Sequence, residues 1–283
     1  MLRRAVVALF LTAYVSIPAF AQTPWRYKWE KGQVLTYKTQ HVTKVVETLE
    51  KSKLEIGSRL TLLKRWVVTD VDGQGNATLE MSLVAMRNEQ TRPNGEKLIF
   101  DSKDVPNSTP ALQGMSKFIG KTLHSVKLNP LGQAIEAKED VKAKFDAEPP
   151  FVVVIPGTAS PQEGQSWTRP FSIASPTGSD EKIDFVQKFV CSKFADGKAT
   201  LQVSNELKTD VKTPSDRIPL LQRETSGQAT FDFERGITVA VQLSVDKKAE
   251  NHQGVGTSYR YQSTFVEQLE PNTEGKIIPA GNP

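Results

Sequence analysis

Period-two alternation of apolar and polar side chains, a scarcity of helical periodicity and a series of Gly-centred turn signals predict a mainly β, β-rich α+β fold. The expected architecture is an antiparallel curved sheet or sandwich built from two related halves, with two or three helices packed on it. Over 283 residues the chain carries 36 Lys+Arg, 32 Asp+Glu, 38% hydrophobic residues and one Cys. That balance excludes collagen-like, disulfide-scaffold and strongly disordered classes and leaves enough apolar sequence for a sizeable core.

Residues 1–21 read as an export signal. Arg3 and Arg4 form the positive end, Ala5 to Val15 is a short apolar run, and Ala19-Phe20-Ala21 is a small-x-small cleavage site before Gln22. The run is too short for a permanent span, and no later stretch approaches the roughly 20 apolar residues a spanning helix needs. Leu2-Arg3-Arg4-Ala5-Val6 lacks the surroundings of a twin-Arg signal, and no Cys follows the cleavage site to take a lipid. A secreted or periplasmic location without a transmembrane anchor is therefore expected. Removing the signal leaves 34 basic residues against 32 acidic, interspersed rather than in blocks. Nucleic-acid binding is not expected from a near-neutral surface.

The first half, 22–150, opens with Trp25, Tyr27 and Trp29 on one face of an extended segment, with Arg26 and Lys28 on the other. Such an aromatic row either stacks on sugar rings or anchors the core of the first strand. Asp70-x-Asp72-x-Gln74-Gly75 places oxygens as the start of a calcium loop does, but position twelve is Met81 rather than a bidentate Glu, and the flanks alternate as strands. A solvated hairpin turn is the expected reading. Asn107-Ser108-Thr109-Pro110 caps a predicted helix with Leu112, Met115, Phe118 and Ile119 on one face. A second helix is predicted from Ala137 to Ala147, where Val141 and Phe145 lie four apart, ending before Pro149-Pro150.

Pro149 to Pro161 reads as the crossover into the second half, 151–270. Phe189, Val190 and Phe194 around Cys191 predict a buried, inert thiol, which as a single Cys makes no internal disulfide. From Ile237 to Val245 every odd residue is apolar, following Phe231-Asp232-Phe233-Glu234 across Arg235-Gly236. With a further strand carrying Tyr259, Tyr261 and Phe265, this predicts a C-terminal antiparallel meander. Residues 271–283, with Pro and Gly and little periodicity, read as a loose tail.

An internal repeat runs through both halves. Gly75-Asn76-Ala77-Thr78-Leu79-Glu80-Met81-Ser82 matches Gly197-Lys198-Ala199-Thr200-Leu201-Gln202-Val203-Ser204 at five of eight positions, each after an Asp-Gly turn. Gly32-Gln33 corresponds in order to Gly164-Gln165 upstream, and Val126-Lys127-Leu128 before Gly132 corresponds to Phe231-Asp232-Phe233 before Gly236 downstream. Duplication of a β unit accounts for three landmarks in one order.

The opening from Trp25 to Tyr37, the Trp66-to-Ala77 hairpin, Asp101-Ser102 and the Gly164-x-x-Trp167 restart give the mature chain its character. It resembles an uncharacterised family of exported bacterial β-rich proteins. Those residues are structural punctuation, so the resemblance implies a fold and no activity. In architecture the chain also resembles the half-barrel carriers that hold lipoprotein acyl chains in the bacterial envelope, and fold alone does not fix function.

Enzyme motifs are wanting. His41, His124 and His252 have no His, Cys or acidic partner at a metal-ligand spacing, and each reads as a surface strand or loop residue. Gly114-Met115-Ser116-Lys117-Phe118 fails as a nucleophile elbow, and Ser179-x-x-Lys182 and Ser244-x-x-Lys247 lack companion motifs. Gly114 to Gly120-Lys121-Thr122 has one residue too many between its glycines for a phosphate loop. The expected function is a non-enzymatic, monomeric binding protein without cofactor or metal, taking an apolar or lipidic ligand. The alternative is a structural or assembly protein whose partner is another envelope protein, and a hydrolase without a recognisable motif stands third. The candidate ligand lining is Met81, Leu83, Val203, Val239 and Val241, joined by Leu79, Leu201 and Leu243 on the same expected inner face.

Overall fold

The computed structural model describes residues 25–138, 153–157, 162–176 and 181–271. The expected signal, the tail from 272 onward and most of the predicted second helix lie outside them. Among the described residues twelve strands form one antiparallel sheet, curved and unclosed rather than a two-sheet sandwich. They are β1 (Val34–Leu49), β2 (Ser52–Val71), β3 (Ala77–Thr91), β4 (Lys97–Asp101), β5 (Thr122–Leu128) and β6 (Ala134–Lys138), then β7 (Ser166–Ala174), β8 (Lys182–Ala195), β9 (Lys198–Leu207), β10 (Ser226–Asp232), β11 (Ile237–Glu250) and β12 (Ser258–Leu269). The order across the sheet is β6-β5-β3-β2-β1-β12-β11-β10-β9-β8-β7, with β4 beside the upper end of β3.

Two runs of sequential neighbours, β1-β2-β3-β5-β6 and β7-β8-β9-β10-β11, lie in this order, and β12 joins them by pairing with both β11 and β1. The landmarks matched in the sequence fall at corresponding places in the two runs. Gly32 donates to Val68 O and Gln33 O accepts from Val68 N, while Gly164 and Gln165 make the same two bonds with Cys191. The matched octapeptides begin β3 and β9 after the β2–β3 and β8–β9 hairpins. The two turns differ in length. Asp196-Gly197 closes its hairpin as a two-residue turn with both residues left-handed, whereas Asp72 to Asn76 needs five residues and a left-handed Gly75.

The meander expected at the C-terminus is β10-β11-β12. Its alternation breaks once. Thr230 pairs with Ala240 and Phe231 with Thr238, so Val239 is the extra residue of a bulge and is only half-buried. Thr238 takes the inward position below it and is fully buried.

Helical structure is sparse. Pro110–Phe118 is a 3-10 helix where a helix was predicted, and Leu112, Met115, Phe118 and Ile119 pack on the main core. The start of the predicted Ala137-to-Ala147 helix is instead strand, since Ala137 pairs with Val126 and Lys138 with Ser125 at the end of β6. Residues 139–147 lie outside the described part. A short helical segment that the periodicity did not reveal, α1 (Pro214–Arg217) continuing as a 3-10 turn over Ile218–Arg223, lies between β9 and β10.

The inner face near the β2–β3, β5–β6 and β10–β11 turns holds the main core. Trp66, Leu79, Met81, Leu201, Phe231 and Val241 meet there, closed by Trp25, Tyr27 and Trp29. These three aromatics lie on an extended segment outside the sheet. Tyr27 N donates to Pro130 O and Lys28 N to Gly236 O, so the segment crosses from the β5–β6 turn to the β10–β11 turn. Tyr27 stacks on Trp29 at 5.0 Å, and Trp25 meets Phe233 at 4.8 Å and Trp167 at 5.3 Å. Val153–Ile155 fills the remaining gap between β6 and β7. Ile155 N donates to Leu131 O, Trp167 Nε1 to Val154 O and Tyr27 Oη to Val153 O. Burial pushes the Tyr27 phenol well above its ordinary range, against a smaller lowering by its Thr238 hydrogen bond.

This crossing requires glycine at the turn it touches. Gly236 has φ +64°, and a Cβ there would lie 2.6 Å from the Lys28 backbone nitrogen. Gly236→Ala is therefore expected to destabilise by about 1–3 kcal/mol. Gly114→Ala, with open space around it, is expected to change stability by less than about 0.5 kcal/mol. Urea midpoints of the two variants check this, and equal midpoints would contradict it.

Candidate functional site

The inner face has two tiers. Along β1 the inward side chains are Leu35, Tyr37 and Thr39, all buried, then His41, Thr43, Val45 and Glu47, all only partly buried. The same change occurs along β2, from Trp66, Lys64 and Leu62 to Leu60, Ser58, Ile56 and Leu54, and along β12, from Leu269 and Glu267 to Phe265, Ser263, Tyr261 and Tyr259. Register aligns these residues into cross-strand rows: Leu60, His41 and Phe265; Ser58, Thr43 and Ser263; Ile56, Val45 and Tyr261; Leu54, Glu47 and Tyr259.

A buried ion pair marks the boundary. Lys64 Nζ lies 2.5 Å from Glu267 Oε2, with the side chains 2% and 1% exposed. Thr39 Oγ1 donates to the same oxygen at 2.6 Å, and Lys64 sits 5.8 Å from the centre of the Phe265 ring. Glu267 Oε1 has no hydrogen-bond partner among the described residues. Below the pair, burial first and the Glu267 charge second hold the Tyr37 phenol far above its ordinary range, so it stays neutral and donates to Thr238 O at 2.6 Å.

Above the boundary the floor is amphipathic. Ile56 is 47% and Leu54 39% exposed. Thr43 and Ser58 share a hydrogen bond of 2.8 Å, and His41 Nε2 lies 2.7 Å from Ser263 Oγ. One wall is the segment between β9 and β10. Its Leu220 packs with Ile183 and Phe185 in a satellite core, and Leu221 is also buried. Asn205 Nδ2 donates to Arg223 O and Thr225 Oγ1, and Ser215 Oγ donates to His252 O, so both ends of this wall are tied to the sheet. Between wall and floor lies a cleft lined by His41, Arg223, Tyr261, Ser263 and Phe265, with Leu243 beside them.

Of the residues singled out in the sequence, Leu243 borders this cleft and Val203 shares its cross-strand row through Gly227. Met81, Leu83, Val203 and Val241 are at most 3% exposed within the main core, and Val239 packs against it from the bulge. Leu79 and Leu201 are equally buried. The structure thus brings the expected lining together on one inner face and packs it solidly. Trp25, Tyr27 and Trp29 are buried as well, so the row anchors the core and presents no surface platform.

Two histidines differ from expectation. His124 is buried edge-on against Trp66, and His252 is buried with Nε2 2.9 Å from Glu47 Oε1, because both lie where a strand or turn packs inward. Asp72 is committed to its turn. Its carboxylate accepts from Gln74 N, Asn76 N and Asn76 Nδ2, and pairs with Lys127 at 3.0 Å, which together hold it far below the usual carboxylate range. The Cys191 thiol is buried, and burial ahead of the Glu163 charge pushes its pKa up.

No protein-family model matches the chain, and no curated protein matches it. Among solved structures it is similar to lipovitellin at 12% identity and TM-score 0.44, over 90% of this chain and 26% of that one. The chain therefore spans about a quarter of that protein's length. It is also similar to DynF from the dynemicin biosynthesis pathway of Micromonospora chersina, at 9% identity and TM-score 0.23 over 95% and 94% of the two chains. An outer membrane lipoprotein-sorting protein domain from Vibrio parahaemolyticus gives 12% identity and TM-score 0.15 over 87% and 89%. At these scores the likenesses say nothing about a ligand. Among the described residues no helix is long and apolar enough to cross a membrane.

The ion pair can be tested directly. Lys64→Met leaves a buried carboxylate without its cation and is expected to cost about 3–5 kcal/mol, whereas Lys64→Met with Glu267→Leu should recover most of that loss. Denaturant unfolding of wild type, both single variants and the double variant checks the cycle, and additive single effects would show that the two groups are not coupled.

Proposed function

We propose that the chain is an exported, non-enzymatic binding protein of the cell envelope or extracellular space that holds an apolar or lipidic ligand on the upper half of its inner face. One observation carries the reading. Below Lys64 and Glu267 the inner face is filled by its own side chains, while above them the same face leaves Ile56, Leu54, Val45, Tyr261 and Phe265 partly open beside a cleft. Apolar side chains that line a concavity without filling it gain free energy when a guest covers them. The proposed site thus shares the inner face of the lining first expected and lies further along the strands than Met81 and Val241, toward Ile56 and Leu54. Duplication of a five-strand unit and a monomeric state belong to the same proposal.

Charge placed on the open tier should block a guest without disturbing the core. Ile56→Glu is expected to weaken binding of a fluorescent acyl-chain probe by roughly 10-fold or more, with the melting temperature held within about 2 °C. Absence of probe binding by the folded wild type would remove this reading and leave an envelope-protein partner as the occupant of the face.

Export has its own check. N-terminal sequencing of protein recovered outside the cytoplasm should begin at Gln22, and an intact Met1 in that fraction would count against export through the predicted signal.

A further inference from the structure

We infer that the protein docks on an anionic lipid bilayer by the end of the sheet that carries the β1–β2 turn and the β11–β12 loop, with Val255 entering the headgroup layer; this rests on the proposed binding function and names the surface that supplies the ligand. The β11–β12 loop, residues 251–257, holds an apolar side chain in water. Val255 is 96% exposed, the extreme among the exposed large hydrophobic residues of the described chain. The loop around it is closely tied. Thr257 Oγ1 accepts from Gln253 N and donates to Gly254 O, Asn251 Oδ1 accepts from Gly256 N, and Asn251 N donates to Thr257 O at 2.7 Å. Asn251, Gly254 and Gly256 take the positive φ that this path requires. His252 is buried with Nε2 2.9 Å from Glu47 Oε1, which pins the loop to β1. The bonded loop thus presents Val255 uncovered, and contact with an apolar medium is what would offset its hydration.

Three features favour a bilayer over a protein as the occupant. Continuity is the first. Glu47, to which the loop is pinned, lies opposite Leu54 and Tyr259 in the strand register, and the exposed Leu54 and Ile56 lead from there along the open strip to Tyr261 and Phe265. A bilayer touching Val255 therefore meets the open end of the proposed ligand strip. Charge is the second. Glu47 faces His252, Glu55 pairs with Lys44 and Glu250 with Lys248, so among the described residues of these two turns Glu50 alone is left against the exposed Lys51 and Lys53. Lysines with long apolar stems suit the level of anionic headgroups. Shape is the third. A protein interface takes a broad complementary face of roughly 800 Å² per partner, whereas the apolar groups here project singly from turns, which suits a layer that closes around them.

The test is flotation of the full mature chain with vesicles of phosphatidylcholine alone and of equimolar phosphatidylcholine and phosphatidylglycerol, beside binding of a fluorescent acyl probe in vesicle-free buffer. The wild type is expected to float with the mixed vesicles and less with phosphatidylcholine alone. Val255→Asp should lower partition onto the mixed vesicles roughly 10-fold, and Val255→Trp should raise it. Lys51→Gln with Lys53→Gln should lower it by roughly 5-fold per lysine and leave partition onto phosphatidylcholine unchanged. Val255, Lys51 and Lys53 lie outside the strip, so probe binding should stay at the wild-type level in all three variants, which also shows them folded. Failure of the wild type to float with either vesicle, or equal flotation of Val255→Asp and wild type, would overturn docking while probe binding keeps the apolar-ligand reading standing. Equal flotation on the two vesicles would overturn the anionic assignment. Flotation without probe binding would overturn the ligand reading and leave the docking end in place.

Discussion

The pairing of β12 with β1, from Tyr37 opposite Leu269 to Thr48 opposite Ser258, is the constraint on which the rest of the structure depends. Without it the chain would be two separate meanders, each ending in a long unpaired edge of the kind that templates aggregation. With it, β1 and β12 are both interior strands, and among the described residues the sheet path ends at the short β6 and the Pro170-bearing β7. Pro170 has no N–H to offer, which blunts the edge on which it lies. Joining strands from opposite ends of the fold adds little closure cost, because that cost grows only logarithmically with loop length.

An unclosed curved sheet has a second obligation, to fill the space it surrounds. Trp25, Tyr27 and Trp29, with Val153 to Ile155, do so at the lower end, where backbone bonds tie them to the β5–β6 and β10–β11 turns and the Trp167 indole of β7 donates to Val154 O. The filling stops at the level of Lys64 and Glu267. A charge pair buried to this degree loses hydration that its mutual attraction only partly offsets, and a well-packed apolar pair would serve stability at least as well. What the pair does provide is a defined boundary: dense apolar packing below, an amphipathic floor above.

Much of this fold is legible in the sequence because alternation and turn chemistry are local. The β10-β11-β12 meander, the Asp196-Gly197 turn and the Pro110 helix all follow from residues within a few positions of each other. Ala137 lies in a strand although the charged residues around it fit a helical face as well, because its pairing with β5 is a contact the local pattern does not carry. The Pro214 segment carries a local signal of its own: Thr213 caps it, accepting from Asp216 N while donating to the Asp216 carboxylate, with Pro214 at the first position. The ion pair was visible too, since Lys64 shares parity with Leu62 and Trp66, and Glu267 with Phe265 and Leu269. Alternation assigns Met81 and Ile56 alike to the inner face. Which of them is covered depends on segments far away in the chain, and local alternation carries no information about those.

Strand length explains why the upper tier exists at all. β2 has 20 residues and β1 has 16, whereas β5 and β10 have 7 each. At roughly 3.3 Å per residue, β2 extends to roughly 65 Å against roughly 23 Å for its shorter companions. The short strands set the depth of the packed core, and the long ones continue past it with an inner face that the described residues cover only in part. The Pro214-to-Arg223 segment covers part of that overhang and is tied down at Asn205 and at the His252 loop, where Glu47 holds the imidazole. A cover anchored at both ends keeps the cleft beside it arranged, so under the proposed binding role a guest would spend little of its binding energy on ordering the protein.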